Sequence, residues 1–309
     1  MISHRMMTAG ALLSGLALGG ANSESAAAQD RDSLPLELFS YDRSAPLEQA
    51  DSQLRERDGV RVHRLSYASP KGGRVTGRLA VPNGSGPFAG VVVMHGMPGN
   101  SEGVMGIGLT IARAGAVVVA IDAPWARRPG GQPLSLTPAD SVDQVQLIID
   151  LQRAVDLLLA RSDVDPERLG YVGRSYGGAM GALFAGVERR LKTYALQVGD
   201  GGVVSHFTGA EDPPNGPFGV TREGWQRWLR AMEPIEPIRF ISRAAPASLY
   251  FQSGRQDRLV PPADAERLQQ AGSEPRKTSW YDTGHGLDSA AERDLLAWLH
   301  QAIGLNPPS

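Results

Sequence analysis

Six short runs of apolar, largely β-branched residues recur along the chain without alternation: Gly90–Met94, Ala116–Ile121, Leu169–Val172, Tyr194–Val198, Ala247–Phe251 and Thr278–Tyr281. Runs of this kind, bounded by Gly or Pro, predict strands buried on both faces of a parallel sheet. Two earlier segments, Arg61–Tyr67 and Arg74–Val81, alternate apolar and polar residues about the turn Ser69-Pro70-Lys71-Gly72-Gly73, which predicts an antiparallel hairpin. Between the buried runs the period changes to that of a helix. Ser141–Ala160 places Val142, Val145, Ile148, Ile149, Val155, Leu158 and Leu159 at spacings of three and four, and Asp288–Ile303 does the same with Leu295, Leu296, Leu299 and Ile303. Strands alternating with helices over such a length predict a doubly wound α/β domain with a mostly parallel sheet and helices on both faces.

Three segments stand outside this rhythm. Residues 1–28 run from Arg5 through an apolar Gly/Ala/Leu stretch to Ala26-Ala27-Ala28, the layout of a cleavable secretory signal, so a secreted or periplasmic protein with no membrane span in its mature form is expected. Residues 29–58 are polar and read as an irregular lead-in to the main domain over 59–309. Residues 201–245 are long for a strand-to-strand connection and hold Pro213-Pro214, Pro217, Trp225, Trp228, Pro234 and Pro237, which predicts a short cap inserted into the domain.

Charge and composition narrow the chemistry. Lysine and arginine total 31 against 33 acids, a net charge of −2, which gives no support for nucleic acid as a partner. The chain has no cysteine, which removes thiol nucleophiles, disulfides and cysteine metal sites. The strongest local signal is Gly173-Arg174-Ser175-Tyr176-Gly177-Gly178, which follows a buried strand and opens a small-residue helix at Gly178–Gly186. A G-x-S-x-G elbow in that position exposes a serine hydroxyl at a helix N-terminus. Serine needs a base, and His285 in Thr283-Gly284-His285-Gly286, after the last strand, is placed to serve; His4, His63, His206 and His300 fall elsewhere. Asp257, one strand before the histidine, completes the chain order Ser, Asp, His; Asp200 is the rival acid, and Asp282 lies too near His285 in sequence. His95-Gly96-Met97-Pro98-Gly99 follows the strand Gly90–Met94, where the Met97 N–H, with that of Tyr176, is a candidate to hold an oxyanion; His95 itself reads as a structural residue.

These motifs together resemble the α/β-hydrolase superfamily over roughly residues 60–303, and more narrowly secreted esterases and the dienelactone-hydrolase-like or prolyl-oligopeptidase-like catalytic domains. Where dienelactone hydrolases carry a cysteine nucleophile, this chain has Ser175. The resemblance implies a serine carboxylesterase, with Ser175 as nucleophile, His285 as base and Asp257 as its orienter, acting on a small-molecule ester with no metal or organic cofactor. A secreted peptidase or amidase using the same triad is the alternative, and a non-catalytic binding protein on this fold a further one. Trp125, Trp225 and Trp228 are candidates to wall the substrate pocket, and Arg127 and Arg128 to meet a carboxylate.

Overall fold

The computed structural model describes residues 33–208 and 217–307. The proposed signal, with His4, lies outside them. Nine strands form one sheet: β1 (Ala50–Arg57), β2 (Val60–Ala68), β3 (Arg74–Pro82), β4 (Phe88–Met94), β5 (Ala116–Ile121), β6 (Val164–Arg174), β7 (Thr193–Gln197), β8 (Ser248–Gly254) and β9 (Arg276–Tyr281). Their spatial order is β1-β2-β3-β5-β4-β6-β7-β8-β9. Strands β1 to β3 and the β3–β5 pair are antiparallel, and every pair from β5 to β9 is parallel. The six parallel strands therefore end on one edge. The chain turns from β4 to β5 on one side and later resumes at β6 on the other, which puts a topological switch point at β4, where open α/β sheets keep their sites.

The apolar runs are buried for the reason the pattern gives. All six residues of β5 are inaccessible to solvent, and alternate residues belong to different layers. Val91, Val93, Val118 and Ala120 pack with helix α1 (Met105–Arg113) and with Leu295, Leu299 and Ile303 of helix α7 (Ser289–Ile303). Helix α2 (Ala139–Leu159) contacts β4, β5 and β6, and helix α3 (Tyr176–Val187) contacts β4, β6 and β7. Helix α7 is closed by capping at both ends. Asp288 accepts from Ala291 N–H at its start, and Gly304 takes a left-handed conformation at its end.

Two elements differ from expectation. Residues 29–58 are not irregular throughout: Ala50–Arg57 pairs with β2 as an edge strand, with a register shift between Gln53 and Arg55. All eight of its residues are exposed, so it carries no apolar alternation, and its charges suit an edge that must not recruit further strands. Helix α1 holds Gly106, Gly108 and Thr110, weak helix formers, and forms because Met105, Leu109, Ile111 and Ala112 bury against the sheet.

The 201–245 segment carries helices α4 (Val203–Thr208) and α5 (Arg222–Met232) followed by three 3-10 turns between Glu233 and Arg243. It is tied to the N-terminal turns of α2. Trp228 Nε1 donates to Asp140 Oδ2 at 2.9 Å, and Gln144 Nε2 donates to the Ile235 carbonyl at 2.7 Å. Among the described residues no helix is long and apolar enough to cross a membrane.

A second buried polar knot joins α2 to the antiparallel strands. Arg127 Nη2 donates to Asp150 Oδ2 at 2.6 Å, Ser69 Oγ donates to Asp150 Oδ1 at 2.6 Å, and Arg127 Nε donates to the Asp122 carbonyl at 2.9 Å. The Asp150 side chain is fully buried, and burial pushes its carboxyl pKa up against the pull of Arg127 and Ser69. Arg127 therefore braces the fold and does not present itself to a substrate. Arg128 is likewise engaged, with Asp143. Asp150→Ala strands a nearly buried guanidinium and is expected to cost about 3–5 kcal/mol in urea unfolding; a loss under 1 kcal/mol shows that the guanidinium finds solvent instead.

Candidate active site

Strand β6 ends at Arg174 and α3 begins at Tyr176, so Ser175 alone makes the turn, at φ 55° and ψ −120°. A positive φ in a non-glycine residue costs about 1–3 kcal/mol and persists only where its surroundings hold it. Here the Ser175 N–H donates to the Gln197 carbonyl of β7 at 2.8 Å, and the Ser175 carbonyl accepts from Ala179 N–H at 2.9 Å. Glycine is required beside it. A Cβ on Gly177 would stand 2.4 Å from the Met94 carbonyl oxygen, and one on Gly173 would stand 2.1 Å from the Gly177 carbonyl oxygen. The α3 N-terminus thus sits tight against the end of β4, and its first N–H groups have no partner within the helix.

His285 and Asp257 arrive on the loops after β9 and β8. Those loops are joined by backbone hydrogen bonds, Arg255 N–H to the Tyr281 carbonyl at 2.8 Å and Gln256 N–H to the Thr283 carbonyl at 3.0 Å. Asp257 is buried, and its Oδ1 accepts from Leu259 N–H at 2.9 Å and Val260 N–H at 3.0 Å. Its Oδ2 lies 2.8 Å from His285 Nδ1, and His285 Nε2 lies 2.9 Å from Ser175 Oγ. With the Nδ1 proton directed at the carboxylate, Nε2 is left to accept from the serine hydroxyl. The structure thus brings Ser175, His285 and Asp257 into one hydrogen-bonded line.

The other candidates sort themselves by partner. Asp282 is exposed and lies 3.3 Å from Arg255. Asp200 is buried against His206, not His285: its Oδ2 lies 2.8 Å from His206 Nδ1. His95 is buried, with Nδ1 2.7 Å from the Gly96 carbonyl and Nε2 accepting from Ala123 N–H at 3.1 Å. Both ring nitrogens are occupied by backbone, and burial holds its pKa below the ordinary histidine value, so it braces the loop as a neutral ring. His63 lies on β2, and His300 lies in α7 with its Nδ1 against the Leu305 carbonyl.

Ser175 lies between two cavities. One, of about 190 Å³, is lined by Met97, Ser175, Tyr176, Ala179, Asp200, Gly202, Val203, His206, Leu259, Val260 and His285. The other, of about 240 Å³, is lined by His95 to Asn100, Gly103, Val104, Arg174, Ser175 and His285. Met97 borders both, and Tyr176 borders the first. Trp125, Trp225 and Trp228 line neither, which corrects their assignment to the pocket. Trp225 and Trp228 stack on each other at 4.8 Å with no solvent exposure, and Trp125 packs edge-on against His95. They are wide apolar surfaces spent on fixing the 201–245 segment and the loop after β4. The sequence marks Asp200 only as a rival acid and sets His206 aside, and misses their pairing in this wall; its signal was an acid at the end of a parallel strand with a histidine six positions on. Among the described residues, no group of three histidine, aspartate or glutamate side chains is arranged to hold a metal ion.

Beside that wall lies a third acid. Glu236 is buried, and it accepts from Ser205 N–H at 2.8 Å and Val204 N–H at 3.2 Å, so it holds the start of α4. His206 is held above its ordinary pKa, first by the Asp200 hydrogen bond.

With this geometry in view, the chain can be set beside known proteins. The profile of the prolyl oligopeptidase family matches residues 143–306, the stretch that contains Ser175, Asp257 and His285. The chain is similar to the uncharacterized protein YfhR of Escherichia coli (strain K12), 22% identical over 268 residues that make up 83% of this chain and 86% of YfhR. Among solved structures it is similar to the acetyl xylan esterase from Paenibacillus sp. R4, with a TM-score of 0.71 and 20% identity over 86% of this chain and 92% of the other. It is also similar to acetyl xylan esterase 1 from Thermoanaerobacterium sp. JW/SL YS485, with a TM-score of 0.72 and 15% identity over 89% and 93%. At these identities the likeness is one of fold, and the fold is that of the α/β hydrolases.

The buried acid yields a stability test. Burial, its largest influence, pushes the Glu236 carboxyl from 4.5 up to about 7. In that window the folded state keeps a proton that the unfolded chain has released, so stability is lost as pH rises through it. Between pH 5 and pH 8 the wild type is expected to lose roughly 3 kcal/mol more than Glu236→Gln in urea unfolding. Parallel pH profiles for the two proteins would exclude the effect.

Proposed function

We propose that this chain, which belongs to the prolyl oligopeptidase family, hydrolyses carboxylic esters, with Ser175 as nucleophile, His285 as general base and acid, and Asp257 as the orienting carboxylate. The observation that carries this is the line from Asp257 Oδ2 through the His285 ring to Ser175 Oγ, with links of 2.8 Å and 2.9 Å, standing open to two cavities.

Ser175 Oγ attacks the ester carbonyl carbon as its proton passes to His285 Nε2. The carbonyl oxygen takes the negative charge, and the N–H groups of Met97 and Tyr176 are the donors proposed to hold it. The second lies at the positive end of α3. Collapse of this intermediate breaks the bond to the alcohol oxygen, which leaves with the proton from His285. Water then gives its proton to Nε2 and its oxygen to the acyl carbon, and the acid departs as Ser175 recovers its proton. Asp257 keeps the ring in the tautomer that leaves Nε2 free and stabilises the imidazolium that forms between steps.

An ester has two halves, and a cavity on each side of Ser175 supports a substrate laid across it. Both cavities fall below the roughly 300–1,000 Å³ usual for ligand pockets, which supports short acyl groups. The shared fold with two acetyl xylan esterases supports esters over peptides, whereas the family name points to peptides, and the same triad serves either. The N-terminal pattern of residues 1–28 supports action outside the cytoplasm.

On p-nitrophenyl esters from acetate to decanoate, kcat/KM is expected to peak between acetate and butyrate. Ser175→Ala is expected to abolish this activity, and Asp257→Asn to lower kcat by about 10⁴-fold while the fold is retained. Equal rates in wild type and Ser175→Ala would overturn the assignment, and cleavage of peptide p-nitroanilides in preference to every ester would move it to a peptidase.

A further inference from the structure

One polar pair in the wall of the 190 Å³ cavity has no part in the acyl transfer proposed above. Asp200 follows β7, on the same sheet edge as Ser175, Asp257 and His285, and His206 lies in α4. Both Asp200 oxygens are engaged: Oδ1 accepts from Gly202 N–H at 3.1 Å, and Oδ2 lies 2.8 Å from His206 Nδ1. The pair repeats the Nδ1-to-carboxylate contact of Asp257 and His285, and His206 lines the cavity. With Nδ1 committed to Asp200, Nε2 is the ring atom left for what fills the cavity.

The cavity wall also holds the apolar Met97, Ala179, Val203, Leu259 and Val260, beside Ser175, Tyr176 and His285. A polar group set among apolar walls, apart from the reacting Ser175 and His285, fixes the orientation of what enters, so its hydrogen-bonding character bears on the ligand's chemistry. Two acids bear on this imidazole: Asp200 and, on α6 (Pro262–Ala271), Asp264. Their charge opposes an anionic ligand group. The Asp200 hydrogen bond also raises the pKa of His206. The neutral ring accepts at Nε2 and the imidazolium donates from it. A hydroxyl group both donates and accepts and so suits either form. A carbonyl suits only the imidazolium, and an ammonium only the neutral ring.

We propose that His206, oriented by Asp200, is a specificity residue that holds a hydroxyl group on the half of the ester entering this cavity, so that the substrate class is a hydroxylated ester. This rests on the Ser175 ester-hydrolase assignment. The hydroxyl belongs to the acyl half or to the alcohol half according to which of them occupies the cavity.

Two pairs of esters matched in size separate these sources: methyl glycolate against methyl propionate, and 2-hydroxyethyl acetate against propyl acetate. Acid release by full-length wild type, His206→Phe, His206→Gln and Asp200→Asn is followed in a pH-stat. The readout is the ratio of kcat/KM within each pair, relative to wild type, which cancels the intrinsic reactivity of the esters. His206→Phe is expected to lower that ratio about tenfold in one pair only, identifying the half held. His206→Gln, which keeps a donor and an acceptor, is expected to restore most of it, and Asp200→Asn to lower it by less than His206→Phe. The His206 side chain is 39% exposed, and Asp200→Asn supplies the same readout independently of any substitution in α4. Ratios within twofold of wild type in both pairs, for both His206→Phe and Asp200→Asn, overturn the hydroxyl assignment while leaving the ester hydrolase standing. Failure of folded wild type to cleave any of the four esters overturns both.

Discussion

The arrangement depends on one backbone constraint, the positive φ of Ser175. A serine held there cannot continue β6 and cannot yet be part of α3, so its side chain is forced out at the junction. The cost of that conformation is met by neighbours that have no side chains to interfere: Gly177 against the end of β4, and Gly173 against Gly177. Because the same contacts bring α3 hard against β4, the helix N-terminus and the loop of Met97 come to border one cavity. The place proposed for developing negative charge is thereby set by the turn that exposes Ser175.

The sheet supplies the remaining alignment. Parallel strands end together, so β6, β8 and β9 deliver Ser175, Asp257 and His285 to one edge although 110 residues separate the first from the last. Strand ends alone position loops only loosely. The two backbone hydrogen bonds between the loops after β8 and β9, and the two N–H groups that hold Asp257 Oδ1, reduce that freedom. Preorganisation of this kind matters because a displaced His285 would lose the hydrogen bond to Ser175 through which the proposed proton transfer would run.

What could be read from the sequence, and what could not, follows from how local each signal is. The buried strands were legible because burial on both faces leaves an uninterrupted apolar run, as in β5. The elbow was legible because strand, serine, glycines and helix lie within a dozen residues. Strand β1 was not, since a wholly exposed edge strand carries no hydrophobic period, and α1 was not, since packing outweighed the weak propensity of its glycines. The tryptophans misled for a related reason. A large aromatic in an inserted segment serves equally well as pocket wall or as anchor, and only the hydrogen bond from Trp228 to Asp140, far off in sequence, decides for the anchor. Asp200 was legible as an acid at a strand end, yet its partner His206 could be assigned only in three dimensions.

That second pair sharpens what makes a site of this kind. A carboxylate after a parallel strand, holding a histidine at Nδ1, occurs twice on this edge, at Asp257–His285 and at Asp200–His206, with the same 2.8 Å separation. The dyad by itself confers orientation, not reaction. Only His285 has a serine hydroxyl on its Nε2 side, and it has one because β6 ends in a turn that pushes the hydroxyl forward. Among the described residues no serine hydroxyl bonds to His206, which lines the cavity beside Ser175. One device, an imidazole fixed by an acid, thus lends itself to the proposed proton transfer only where a strand-end turn presents a hydroxyl to it.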